Sequence, residues 1–438
     1  MERLFKTERQ LLYESQQSKV ALGFTMVFFV AVFFFTAESH QFDFPNPFGL
    51  PGAISQYWIY LFGFTYAVVM KKKRDLVFPW HPIAAVLWVV GLTLATLIAA
   101  HPEKSWPQPV ALALYFLAGY GIWKAACSER VLGAALVLIA IVGMSWSVFI
   151  VEKFFEFGGS LPHRYIAYLG YKGSYNHHVY GLLIVNGACA ILALISKKRS
   201  VFFKVLTTAL VGWTFFAIFI SQSRASFVCF AVTCSYILLK NETLQGRGQK
   251  LIKVAWVFLT LLFIFWTIKQ TSEISTDVVR RFDFGDEEYQ MQKSRGRPEM
   301  FRKGLILISK NPLGIGGYNT RFTSVGGTEF SFIEGYLLHN QYLTTVVEGG
   351  WILIITWIIL VTYTVVLPFK EKWKHPARLG MYCCWLNFSV QAVFAETLSN
   401  YYLLMLFLAS AAISLEVRAR AQHKRLVLER TNFPAGSG

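Results

Sequence analysis

Acidic residues are scarce in this chain: 25 Asp and Glu stand against 42 Lys and Arg in 438 residues, a formal net charge of +17. Charge of either sign is thin, at 15% of residues, where soluble domains carry about a quarter. Cysteine is sparse too. Cys127, Cys189, Cys229, Cys234, Cys383 and Cys384 fall in or beside apolar runs, and none forms a C-x-x-C pair. That argues against a disulfide framework and against a zinc site. No small-x-small cleavage site follows the first apolar run, 20–36, so the run reads as an uncleaved span rather than a signal peptide. The positive charge is not gathered on one basic face and belongs to no nucleic-acid module, so nucleic acid is not an expected partner.

What the chain has in excess is oil. Hydrophobic residues make up 55% and aromatics 16%, with a mean hydropathy of +0.44. Apolar runs of about 20 residues, each long enough to cross a bilayer as a helix, recur from end to end. They lie at 20–36, 54–70, 82–100, 109–127, 131–151, 177–196, 203–222, 225–239, 251–269, 350–369, 379–397 and 401–417. The expected fold is an all-α polytopic membrane protein of about 12 spans, a single integral domain over 1–438.

The connections alternate in charge. One set holds the N-terminus, Lys71 to Arg74, the Lys124/Arg130 turn, Lys197 to Lys204, Lys240 to Lys253, Lys370 to Arg378 and the tail 418–438, together 27 of the 42 Lys and Arg. The positive-inside rule places this set, with both termini, in the cytoplasm. The other set then faces outward and includes one long loop, 270–338, between the ninth and tenth spans. Loops of this length are uncommon and usually functional.

That loop contains "GRPEMFRKGLILISKNP". Pro298 suits a first helical position and Glu299 a first turn, which makes Arg297 the expected N-cap. Met300, Phe301, Leu305 and Ile308 share one side, and Asn311-Pro312 ends the helix. Free N–H groups and the dipole make a helix N-terminus fit for anions. Gly314, Gly316 and Gly317 in "GIGGYN" form a turn; no Lys-Ser/Thr follows, so a phosphate loop is the weaker reading. "DFGDEE", Asp283 to Glu288, could hold a divalent cation, but as a solvated acidic stretch it needs no ligand.

Three further stretches stand out on the outward side. In "FISQSRASFV", Arg224 is the single charge between Val205 and Leu239. It either snorkels to the surface or meets an anion, for which the guanidinium fork is well shaped. In "GSYNHHVYG", Asn176, His177 and His178 open the sixth span; adjacent histidines face different ways on a helix, which disfavours a metal grip. In "FIEGYLLHNQYLTTVVEGGW", His339 and Asn340 precede the tenth span, in a helix expected to start near Glu334 with Tyr336 and Tyr342 beside the imidazole. Gly349-Gly350 allow a bend into the span. His339 is either an interfacial histidine or a general base, since imidazole titrates near neutrality.

The order "SQSRASF", "GRPEMF…NPLGIGGYN", "HNQYLTTVVEGG" resembles the O-antigen ligase and polymerase superfamily of bacterial inner membranes, over roughly Ser221 to Gly350. Phe301 stands where that family often has Trp. The resemblance implies a GT-C-like glycosyltransferase with its active site facing the periplasm. The donor would be a glycan on undecaprenyl diphosphate, transferred with no metal and no other cofactor. Carried over by position, Arg224 and Arg297 would hold the diphosphate and His339 would serve the acceptor hydroxyl. Fixed cations suit a leaving diphosphate, and direct displacement would invert the anomeric centre. Asn176, His177, Arg321, Tyr336, Asn340 and Glu396 are further candidates for sugar or phosphate contacts.

Within that group the single long outer loop and the short basic tail favour an O-antigen ligase, with lipid A–core as acceptor and membrane lipids around it. A polymerase or a protein O-oligosaccharyltransferase would share the donor chemistry. A transporter or flippase for an anionic lipid is the alternative from another class. Such proteins show internal repeats and polar residues at mid-membrane, and here the distinctive polar residues gather at one face.

Overall fold

The computed structural model describes residues 78–79, 82–158, 165–167, 174–195, 201–221, 223–240, 296–317, 324–325, 328–329, 340–371, 373, 375–394 and 400–432. The expected spans at 20–36, 54–70 and 251–269 lie outside the described residues, as do His339, Arg321, Tyr336, Glu396 and the acidic stretch 283–288.

The described chain is helical apart from two short ladders. Its elements are α1 (Pro82–Leu97), α2 (Pro102–Ser105), α3 (Pro107–Ala126), α4 (Glu129–Glu156), β1 (Tyr165–Ala167), β2 (Ser174–Asn176), α5 (His177–Ile195), α6 (Val201–Ile220), α7 (Arg224–Lys240), α8 (Gly296–Lys310), β3 (Ser324–Val325), β4 (Thr328–Glu329), α9 (Gln341–Gly349), α10 (Trp351–Phe369), α11 (Pro376–Gln391) and α12 (Asn400–Asn432). Strands β1 and β2 pair antiparallel, as do β3 and β4. Nine of these helices fall on nine of the twelve apolar runs. By length and composition α3, α4, α10 and Tyr402–Arg425 of α12 can cross a membrane, and α1, α5, α6 and α7 contain shorter apolar helices.

Prolines open α2, α3 and α11, where the missing N–H costs no hydrogen bond. Pro368 has the opposite effect inside α10. It cannot donate to the ladder, and Thr362–Val366 relaxes into a π turn. The carbonyl of Val365 accepts from Tyr382 Oη at 2.8 Å, and Thr364 Oγ1 accepts from Trp385 Nε1 at 3.1 Å. The π turn is therefore braced by α11.

Helix α11 is the axis of the bundle: every residue from Ala377 to Gln391 except Val390 is buried. Apolar residues lie on all its sides, as befits an enclosed helix, with Arg378, Asn387, Ser389 and Gln391 buried among them. At mid-helix Asn387 Nδ2 donates to Asn186 Oδ1 of α5 at 3.0 Å, between two fully buried residues. Helices α4 and α5 pack backbone to backbone, since a Cβ on Gly143 would stand 2.6 Å from Gly187 Cα. Outside this core, Val86, Val90 and Leu94 of α1 and Ile355 and Ile358 of α10 are exposed, an apolar periphery suited to lipid.

The bundle has two distinct ends. At one, Arg378 donates through Nη1 to Glu416 at 3.0 Å and through Nη2 to Glu129, while Arg420 pairs with Glu371 and Glu416. This network joins the first turn of α4, the connection and first turn of α11 and the far part of α12, three of the places that the charge pattern groups together. At the other end meet the start of α3, the turn 311–317, helix α9 and the close of α11.

Three local expectations change. Helix α8 is already formed at Gly296, so Arg297 lies within its first turn instead of capping it. The buried face of α8 is Gly304, Leu307 and Ile308, while Phe301 and Leu305 are exposed. Packing against Leu343 selects that side, because a Cβ at Gly304 would come within 2.8 Å of Leu343 Cδ2. Helix α9 starts at Gln341, not near Glu334: Asn340 is extended (φ −148°, ψ 111°) and caps it.

Candidate functional site

Four chain segments converge on the end opposite the Arg378 network. Helix α7 begins at Arg224 itself. The preceding turn is held by serines: Ser221 Oγ donates to Ile218 O at 2.6 Å, and Ser223 Oγ lies 2.7 Å from Ser226 Oγ. The N–H of Phe227 reaches Ser223 O at 3.0 Å, closing the first turn. Arg224 thus sits at a helix N-terminus, where backbone N–H groups and the dipole already favour an anion.

The same first turn rests on α5. A Cβ at Gly181 would stand 2.4 Å from Ser226 Oγ and 3.3 Å from Ser223 Cβ. Gly181 is one turn into the helix that His177 opens, and Asn176 ends β2 just before it. The starts of α5 and α7 are therefore neighbours, and Asn176, His177 and Arg224 belong to one region of the backbone.

Helix α11 runs antiparallel to α7, with Cys229 Sγ near Asn387 O (3.5 Å) and Tyr236 packed on Tyr382 with ring centroids 5.7 Å apart. Five residues back from Cys229 is Arg224, and five residues on from Asn387 is Ala392, so these two lie at a similar height. There α9 is clamped. Gln341 N donates to Ala392 O at 2.8 Å, Tyr342 Oη donates to Ser389 O at 2.9 Å, and the Tyr342 ring meets Trp357 edge-on at 4.6 Å. Burial pushes the Tyr342 phenol up to about 12, which keeps it neutral and unfit as a base near pH 7. Asn340 Oδ1 accepts from Leu343 N at 3.0 Å, so this oxygen serves the helix cap. His339 is the residue before that cap, Glu396 lies four residues beyond Ala392, and both lie outside the described residues.

Helix α8 brings Arg297 toward the same end. Gly304 meets Leu343, and further along Gly314 meets the backbone of Glu348 and Gly350. Helices α8 and α9 therefore run in the same general direction, and the first turn of α8 lies on the side where α9 starts. The turn between them is not a phosphate loop. Gly314 N donates to Asn311 O, Ile315 N to Val347 O and Gly316 N to Glu348 O, leaving those N–H groups committed to the protein. Positive φ at Gly314 (92°) and Gly316 (84°) makes the turn possible.

Sequence reasoning missed the residues that fasten this assembly. Ser105 Oγ donates to Gly317 O at 2.8 Å, and Gln108 Nε2 donates to Glu348 Oε2 at 3.1 Å. Gln108 stands between two prolines at the mouth of a span, a position at which a polar residue is a usable signal. Among the described residues no three His, Cys, Asp or Glu come together as a metal site.

A family model described as O-antigen ligase matches residues 209–358. The match covers about a third of the chain and supports membership of the O-antigen ligase superfamily. It contains Arg224, Arg297, Arg321, Tyr336, His339 and Asn340, and leaves out Asn176, His177 and Glu396. No curated protein and no solved structure matches the chain.

Proposed function

We propose that this chain, a multi-span membrane protein with an O-antigen ligase segment over residues 209–358, is an inner-membrane glycosyltransferase. It transfers O-antigen from undecaprenyl diphosphate to a sugar hydroxyl of lipid A–core, on the periplasmic side. The observation that carries the reading is the meeting of the starts of α5, α7 and α9 with the close of α11 at one end of the bundle. Two of those four segments, α7 and α9, lie in the family match, and α5 and the close of α11 pack directly against them.

The chemistry follows from the residue types. Arg224 and Arg297, each in the first turn of a helix, supply cationic forks and helix dipoles for the diphosphate, whose charge grows as the glycosidic bond breaks. His339, next to the clamped cap of α9, takes the proton of the acceptor hydroxyl. The hydroxyl oxygen attacks the anomeric carbon from the face opposite the departing diphosphate, and the centre inverts. Neither a nucleotide nor a metal is needed in this scheme.

The test is a reconstitution. Purified protein is incubated with undecaprenyl-diphosphate-linked O-antigen and lipid A–core in EDTA, beside His339→Ala. A ladder of capped lipopolysaccharide from the wild type alone supports the reading. A lengthened donor glycan with no capped product makes the protein a polymerase, and transport of the lipid without transfer overturns an enzymatic role.

A further inference from the structure

Helix α8 presents a broad apolar arc, and protein covers one flank of it. Gly304, Leu307 and Ile308 are buried with Leu343, Val347 and Ile315. Beside them, next to Ile308 around the helix, Phe301 and Leu305, one turn apart, are 47% and 50% exposed. The stripe runs on through Ser309 to the turn, where Leu313 is 50% exposed. Leaving three such side chains half in water forfeits part of the gain that burial would give.

The stripe leads directly into a membrane span. Trp351 N donates to Pro312 O at 3.0 Å, and a Cβ at Gly350 would stand 2.4 Å from the Leu313 carbonyl carbon. Trp351, the first residue of α10, is 56% exposed, and Ile355 and Ile358 continue its outward face. Tryptophan at the start of a span marks the headgroup level. Exposed Lys310 at the end of α8 adds the cationic border common on interfacial helices.

We infer that α8 lies in the outer membrane interface, with Phe301, Leu305 and Leu313 inserted among lipid chains at the height of Trp351. The occupant of this face is phospholipid, because the face is continuous with the lipid-facing side of α10. The inference requires only that the chain spans a membrane. On the glycosyltransferase reading it has a consequence: position 297 lies one turn before Phe301, so insertion holds Arg297 at the depth of a lipid diphosphate.

The test uses the full-length protein in vesicles of phosphatidylethanolamine and phosphatidylglycerol, with no glycan present. The native cysteines are buried, so a nitroxide can be placed selectively on Leu305→Cys, Leu313→Cys, Trp351→Cys or Lys310→Cys. The expected result is a several-fold higher oxygen-to-nickel-chelate accessibility ratio at 305 and 313 than at 310, close to that at 351. Equal nickel access at 305 and 310 would place the face in water. Exclusion of both reagents from 305 would mean that protein covers it. Either outcome overturns the inference whatever the enzymatic assay shows.

Discussion

Gln108 and Glu348, 240 residues apart in sequence, are joined by a hydrogen bond of 3.1 Å from Nε2 to Oε2. The contact ties the mouth of α3 to α9, beside the turn that carries α8. Glu348 is buried, and a buried carboxylate that loses a donor pays for its desolvation. Gln108→Leu is expected to cost about 1–3 kcal/mol, read as a lower unfolding midpoint in detergent. Glu348→Gln keeps an acceptor and should cost less than Glu348→Ala.

Gly350 has φ 70° and ψ −162°, a combination reserved for glycine. A Cβ there would also meet Leu313 C and Pro312 O at 2.4 Å. Gly350→Ala should sharply reduce the yield of folded protein. Gly133→Ala is the control: nothing lies within 4 Å of its Cβ, and alanine in mid-helix should be neutral or stabilise by up to about 1 kcal/mol. Size-exclusion profiles and thermal unfolding of the two variants check the contrast.

Arg378 bridges Glu416 and Glu129. Arg378→Gln leaves the buried Glu416 without that cation and should cost about 3–5 kcal/mol. Lysine preserves charge but cannot reach both carboxylates through one planar fork, so Arg378→Lys should fall between glutamine and wild type. Denaturation midpoints of the three proteins test the order.

Tyr342 donates to Ser389 O. Tyr342→Phe should lower stability by about 0.5–1.5 kcal/mol near neutral pH. Because burial raises the phenol from 10.0 to about 12, its contribution is complete below pH 10 and declines as pH rises from 10 toward 12. The stability gap between wild type and Tyr342→Phe should therefore narrow over that range, and transfer activity near pH 7 should keep its pH profile.

On the proposed reading, Arg224→Lys retains charge but loses the paired hydrogen bonds to phosphate. Donor binding should weaken by roughly tenfold to a hundredfold, measured by competition with undecaprenyl diphosphate, while folding is unchanged. An unaltered affinity would remove Arg224 from the diphosphate site.

Much of the site's local grammar is legible in sequence. The Gly349-Gly350 bend, the end of α8 at Asn311 and the glycine turn all follow from chemistry confined to a few neighbours. The errors are equally local in kind. A helical pattern across His339 and Asn340 looks continuous, yet Asn340 accepts a hydrogen bond from Leu343 N and caps the helix instead. The single apolar side read for α8 divides in the structure: packing of Gly304 on Leu343 buries Ile308 and leaves Phe301 and Leu305 exposed.

The run of apolar segments by itself determined that the chain is a many-helix membrane protein, because backbone groups must be satisfied within each span and charge resists the hydrocarbon. Tertiary structure decided what meets what. It put α11 at the centre, paired Asn186 with Asn387 across the core and set the starts of α5, α7 and α9 against the close of α11. Those contacts join residues far apart in sequence and depend on which small residues let backbones approach, and no periodicity along one segment records that.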